Sequence, residues 1–175
     1  MEETLQAMAD IVKQGKALYL GLSRWPLEAL KFAYKYLRER DVPLLIYQGR
    51  LNLLDRSPQE EGILDYCAEH GIGFISFSPL AQGLLTDRYL NGIPSDSRMA
   101  KEHFLKKTDL TPELLKKLKA WNEQAGKRNE TLAEMALSWI LSQKGVTSVL
   151  VGASSTEQLE KNMKCVHAEP FSSEI

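Results

Sequence analysis

Charge of either sign is in no surplus here: 22 lysines and arginines stand against 23 aspartates and glutamates, a formal net charge of -1. A chain so balanced lacks the electrostatic footprint that nucleic acid or an anionic membrane calls for. Long apolar runs are missing as well, and nothing approaches the roughly 20 residues of a membrane span. Cysteine is scarce. Cys67 and Cys165 lie far apart, each on an apparent helix, with no metal-ligand spacing between them. They read as reduced, buried or half-buried thiols of a cytoplasmic protein rather than as a disulfide. The histidines His70, His103 and His167 fall in a helix end, a long loop and the tail, and form no Ser/His/Asp or Cys/His set. No GxGxxG, Walker or HExxH motif occurs, and no tyrosine has a lysine and a carboxylate arranged around it. No metal site and no catalytic set are therefore expected within these residues. The opening MEETLQAMADIVKQG is acidic and amphipathic, unlike a secretory signal.

What is present is alternation. Leu5, Met8, Ala9 and Val12 recur at helical spacing, and Gly15 stands where a left-handed cap would end the helix. ALYLGL (17–22) has the length of a strand. Pro26 opens a helix that Arg38 and Arg40 close on the favourable side of its dipole. LLIYQ (44–48) is a second strand, Pro58 to His70 a helix stopped by Gly71, and GFISF (73–77) a third strand. A long loop from Ser78 to Leu110 precedes helices over 111–128 and 131–143. TSVLVG (147–152) is the last strand, and Ser154 or Ser155 caps a final helix to about Lys164.

Short apolar strands alternating with helices define an α/β fold with a parallel sheet. Four strands are too few to close a barrel, which takes about eight. Both ends read as cut: Met1 leads straight into a helix, and FSSEI resembles the cap of a helix that does not follow. An open sheet of buried-type strands would leave two apolar edges. Two readings stand, a small flavodoxin-like domain and half of a TIM (β/α)8 barrel, in which residues 1–175 form one partial domain.

In parallel α/β folds ligands gather at the carboxyl ends of strands. Those ends read Ser23-Arg24-Trp25, Gln48, Phe77-Ser78-Pro79-Leu80 and Gly152-Ala153-Ser154-Ser155. Their chemistry is hydrogen bonding, for none titrates near neutral pH. Gly152 permits a close backbone approach, and the helix N-terminus that follows can receive an anion. The same serines also fit capping boxes, Ser154 with Glu157 and Ser155 with Gln158. Gln48 suits a carboxamide or simply caps a strand. Phe77 can stack on a flat ring or fill the core. Arg88 and Arg98 can hold phosphates or face solvent.

Taken in order, the segments GKALYLGLSRW, IYQ-x-x-x-NLLDR, FSPLAQGLLTDRYLNGIP with SR at 97–98, LAEMALSWIL and SVLVGAS-x-x-EQL-x-x-N resemble the C-terminal half of the aldo-keto reductases. The flavour is that of the branch holding L-glyceraldehyde 3-phosphate reductase and the potassium-channel β subunits. The resemblance implies a (β/α) barrel that binds NADP(H) and reduces aldehydes and ketones, with these strands as its fifth to eighth. It implies that Ser23 and Gln48 bind the nicotinamide carboxamide with Arg24 beside them, and that Phe77 stacks on the ring. Ser78, Pro79, Leu80 and Gly83 would line the pyrophosphate. Arg88 and Arg98 would meet phosphates, Arg98 favouring the 2′-phosphate, and Gly152, Ser154, Gln158 and Asn162 would hold the adenosine. Two residues depart from the branch: Lys161 stands where an acidic residue is usual, and Leu51 where a tyrosine is common.

The family's Asp, Tyr, Lys and His lie on the first four strands and their loops, so the resemblance assigns no catalytic residue here. Three functions follow. The chain is the NADP(H)-binding part of an oxidoreductase whose other half is supplied elsewhere. Or it is a non-catalytic NADPH-binding or regulatory module. Or it is a half-barrel that self-associates through its open sheet edges. The partners expected are NADPH and a small carbonyl substrate, with no nucleic acid and no membrane insertion.

Overall fold

Four strands pair in the order in which the chain makes them. In the computed structural model, which describes residues 1–101 and 105–171, β1 (Leu20–Ser23), β2 (Leu44–Arg50), β3 (Gly73–Phe77) and β4 (Val146–Val149) form one parallel sheet, β1-β2-β3-β4. His103 and the tail after Phe171 fall outside the described residues. α1 (Glu2–Lys13) precedes β1, and α2 (Leu27–Arg38) joins β1 to β2. α3 (Ser57–Glu60) and α4 (Ile63–His70) join β2 to β3. α5 (Pro112–Lys127) and α6 (Leu132–Ser142) join β3 to β4, and α7 (Thr156–Met163) follows.

The order decides between the two architectures. Parallel crossovers are right-handed, so a helix lies on the face set by the direction in which the next strand is added. A flavodoxin-like sheet reverses that direction at a switch point and carries helices on both faces. Here the direction never reverses, and every helix falls on the same side. Burial agrees: Leu20, Leu22, Leu44, Tyr47, Phe74 and Ser76 are buried on the helix side, whereas Gly21, Ser23, Gln48, Arg50, Ile75 and Phe77 alternate with them and are exposed or half-buried. The fold is a four-stranded barrel sector, open at both edges and uncovered on its inner face.

The main core lies between sheet and helices, where Leu5, Ala9, Leu30, Ala33, Leu37, Leu64, Cys67, Phe74, Leu118, Met135 and Ile140 meet. α6 is buried almost all round, which only a helix apolar on several faces can accept. Its start is fixed by a capping box: Thr131 Oγ1 accepts from the Glu134 N–H (3.2 Å), and the Glu134 carboxylate accepts from the Thr131 N–H (2.7 Å). The loop after β3 carries a small core of its own, Leu84, Tyr89, Met99 and Leu105.

Several boundaries differ from expectation. β2 runs two residues past the expected end at Gln48, to Arg50, because Gly49 and Arg50 still pair with Ser76 and Phe77 of β3. α2 ends at Arg38 rather than Arg40. β1 starts at Leu20, and Leu18 is left 76% exposed, because its partner strand begins at Leu44 after Pro43, which has no N–H to pair. The helix expected over 58–70 is two, broken at Gly62, whose φ of 77° no helix admits. β4 covers 146–149 rather than 147–152, although the Leu150 N–H still donates to the Ser76 carbonyl (2.8 Å).

Burial also pushes the Cys67 thiol from its ordinary value near 9 up to about 12, and the Tyr47 phenol from near 10 to about 12. The folded chain thus keeps protons that the unfolded chain releases. The stability these groups carry is complete below about pH 9 and declines as the pH climbs towards 12. Circular dichroism followed from pH 7 upward is expected to hold steady to that point and then fall. At pH 8 a thiol reagent should leave Cys67 untouched, since burial both shields the sulfur and holds the thiol protonated. Loss of structure below pH 9, or rapid native labelling of Cys67, would contradict this account.

Candidate functional site

Register places the strand-end residues. Ser23 pairs with Gln48, Gln48 with Ile75 and Ile75 with Ser148, forming one row across all four strands on the uncovered face. One row further towards the carboxyl ends, about 6.6 Å on, Arg50 pairs with Phe77. The Arg50 guanidinium carbon lies 5.9 Å from the centre of the Phe77 ring, and its Nε is 3.8 Å from the Asp55 carboxylate. Ser23, Gln48 and Phe77 therefore share one face and one end of the sheet. Arg24 continues the β1–β2 ladder, its N–H donating to the Gln48 carbonyl (3.1 Å). Its residue lines a different hollow, with Met1, Thr4, Trp25, Pro26 and Ala29.

After Phe77 the backbone leaves the sheet by an unusual path. Ser78 has φ 51°, and Ala81, Gln82 and Gly83 follow with 45°, 61° and 99°. Each non-glycine residue held so costs roughly 1–2 kcal/mol, and strain of this kind concentrates at binding loops. Leu80 at φ -99° next to left-handed Ala81 approximates the alternation that turns successive N–H groups into one concavity suited to an anion. Pro79 is buried and Leu80 half-buried beneath that turn.

The remaining candidates are spread wider. Arg88 is engaged with Asp96 at 2.6 Å, and the Asp96 carboxyl is held below its ordinary range by that hydrogen bond and charge. Arg98 is exposed and makes no ion pair among the described residues. Gly152 is exposed, with open space where a Cβ would stand. Ser155, not Ser154, caps α7, accepting from the Gln158 N–H (3.2 Å). The Gln158 side chain turns back to accept from the Ser154 N–H (2.8 Å) and hydroxyl (3.0 Å). Glu157 takes Lys161 as its partner at 2.7 Å, raising the Lys161 pKa and lowering its own. Asn162 is buried, and its Nδ2 is the one buried side-chain polar atom left without a partner among the described residues.

Sequence reasoning passed over Asn52, Ser76 and Arg50. Asn52 and Ser76 are buried polar residues inside apolar stretches, and that break in pattern was the available signal.

The aldo/keto reductase family model matches residues 1–175, and the chain belongs to this family. Members generally use a nicotinamide cofactor and a carbonyl substrate. Among its relatives, L-glyceraldehyde 3-phosphate reductase of Escherichia coli K12 is 48% identical, covering 98% of this chain and 51% of that protein. A probable voltage-gated potassium channel subunit beta of Arabidopsis thaliana is 35% identical, covering 98% and 53%. Among solved structures, a thermostable aldo-keto reductase in complex with the inhibitor epalrestat superposes with a TM-score of 0.71 at 25% identity, covering 98% of this chain and 51% of that one. The chain spans about half the length of the relatives it matches.

Proposed function

We propose that the chain is the NADP(H)-binding part of an oxidoreductase that reduces aldehydes or ketones. The observation that carries this reading is the row of Ser23 and Gln48 on the uncovered face, with Phe77 one step beyond it. When bound, the dinucleotide would supply a hydride. Ser23 and Gln48 would hold its carboxamide with Arg24 nearby, since an amide needs one donor and one acceptor. Phe77 would cover one ring face. Ser78, Pro79, Leu80 and Gly83 would line the pyrophosphate, and Arg88 would reach a phosphate once it leaves Asp96. Arg98, exposed and unpaired among the described residues, suits a 2′-phosphate. Gly152, Ser154, Gln158 and Asn162 would hold the adenosine, and the unpartnered Asn162 amide fits a ring nitrogen acceptor. The proton for the developing alkoxide would come from residues outside this chain, which makes the chain inactive alone.

Calorimetric titration with NADPH, and NADH as control, tests the reading. Saturable binding that prefers NADPH is expected. Arg98→Ala should weaken it about tenfold or more, the worth of a charge-assisted hydrogen bond. Asn162→Leu should also weaken it while leaving the fold as stable or more so, because it removes a buried unsatisfied donor. No affinity at millimolar NADPH would overturn the proposal.

A second reading draws on the beta-subunit relative: NADPH binding without turnover, serving regulation. A third draws on the open edges of the sheet: Leu150, just beyond β4, is 46% exposed, and two copies closing edge to edge would cover it. Concentration-dependent dimerisation would favour it. The two buried thiols suit a reducing compartment such as the cytoplasm. Among the described residues no helix is long and apolar enough to cross a membrane.

A further inference from the structure

The strained turn after β3 is held from outside by one side chain. Asn52 is 1% exposed in the segment following β2. Its Oδ1 accepts from the N–H groups of Leu54 and Asp55, both at 2.9 Å, and its Nδ2 donates to the Ser78 carbonyl at 3.0 Å. That carbonyl also accepts from the Ala81 N–H (3.0 Å). Asn52 thus grips the first left-handed residue after β3 and the oxygen that closes the turn. A second bond runs the other way: the Ser76 hydroxyl, wholly buried, donates to the Leu51 carbonyl at 2.7 Å. Together these bonds lash the end of β3 to the segment after β2 just where the sheet ladder stops at Arg50 and Phe77.

We propose that Asn52 is a positioning residue for the candidate site, holding Ser78–Gly83 in its strained, binding-ready shape without touching the ligand. The inference rests on the dinucleotide reading of this cleft. A turn with several residues at positive φ relaxes unless its surroundings over-determine it, and fixing it before binding removes an ordering cost from association. Asn52 does this with both ends of its amide, the oxygen accepting twice and the nitrogen donating to Ser78. A carboxylate in its place keeps both acceptor contacts to Leu54 and Asp55 but has nothing to donate to Ser78.

The test uses Asn52→Asp and Asn52→Ala in the 175-residue chain at pH 8. Amide hydrogen exchange is followed by mass spectrometry, and NADPH binding by calorimetry. Exchange at Leu80 to Leu85 is expected to quicken about tenfold while β2 and β3 keep their protection, and the NADPH Kd should rise about tenfold, the scale of one buried hydrogen bond. Ser76→Ala, which leaves Asn52 in place, serves as a second variant should the others fold poorly; a smaller loosening of the same amides is expected. Unchanged exchange in the turn in every variant would overturn the proposal, as would a loosened turn with wild-type affinity. A wild-type chain with no affinity for NADPH would refute the dinucleotide reading instead, and with it any role of Asn52 in positioning this ligand. The exchange data would then still report whether Asn52 holds the turn.

Discussion

Phe74→Ala is expected to move the urea midpoint of unfolding sharply downward. Phe74 sits in β3, an interior strand, with its ring fully buried and stacked on Tyr47 at 5.8 Å and 20°. Gly49 lies against it so closely that a Cβ there would stand 2.7 Å from the ring. The ring thus fills space that no neighbour can reclaim by a small shift. Phenylalanine-to-alanine changes in such sites cost about 3–5 kcal/mol, against a typical total of about 5–15 kcal/mol. Phe77→Ala is the natural comparison, for Phe77 is half-exposed on the uncovered face. It should leave the urea midpoint nearly unchanged and act on nucleotide binding instead. Equal midpoints for the parent and Phe74→Ala would show that the core has been misplaced.

The second large effect is in turnover. The chain alone is expected to give no NADPH-dependent reduction of aldehydes above the rate in buffer. Hydride delivery to a carbonyl builds negative charge on oxygen, and a positioned acid that relieves it is worth about 10²–10⁴-fold. The side chains at the ends of β1, β2 and β3, Ser23, Arg24, Gln48, Arg50 and Phe77, include no carboxyl, imidazole, phenol or ammonium group. Absorbance at 340 nm with a panel of short aldehydes checks this. Turnover by the isolated chain would mean that a proton donor within these residues has been overlooked.

β2 and β3 were legible because each is a short apolar run bounded by a residue that cannot continue it, Pro43 in one case and Gly71 in the other. The break at Gly62 was not, because Pro58 marks a helix start before it and Gly71 a stop after it, and a lone glycine between the two is tolerated inside a helix. The absence of a switch point was equally hidden: whether β2 lies to the left or right of β1 is a tertiary fact. The strand-end residues could be named from their positions in the chain. Their sharing of one row depended on register, which shifts between Leu20 and Gly21 and again between Phe74 and Ile75. Their assignment to particular parts of a dinucleotide came from family resemblance rather than from composition or spacing. Asn52 was passed over because its importance lies in a bond spanning 26 residues, and Asp96 because it reaches Arg88 only once the loop has closed.

A sheet whose strands lie side by side in chain order can be lengthened without inserting anything. A new strand added beside β1 or β4 brings its helix to the same outer side, and the curvature continues. A sheet with a switch point grows differently: its first strand is trapped in the middle, and strands added on its two sides bring their helices to opposite faces. The present architecture is therefore modular along its own contour. Among the described residues each rim is an unpaired ladder edge, β1 with α1 ahead of it and β4 with α7 behind it, so the strand-and-helix alternation reaches both ends of the sheet.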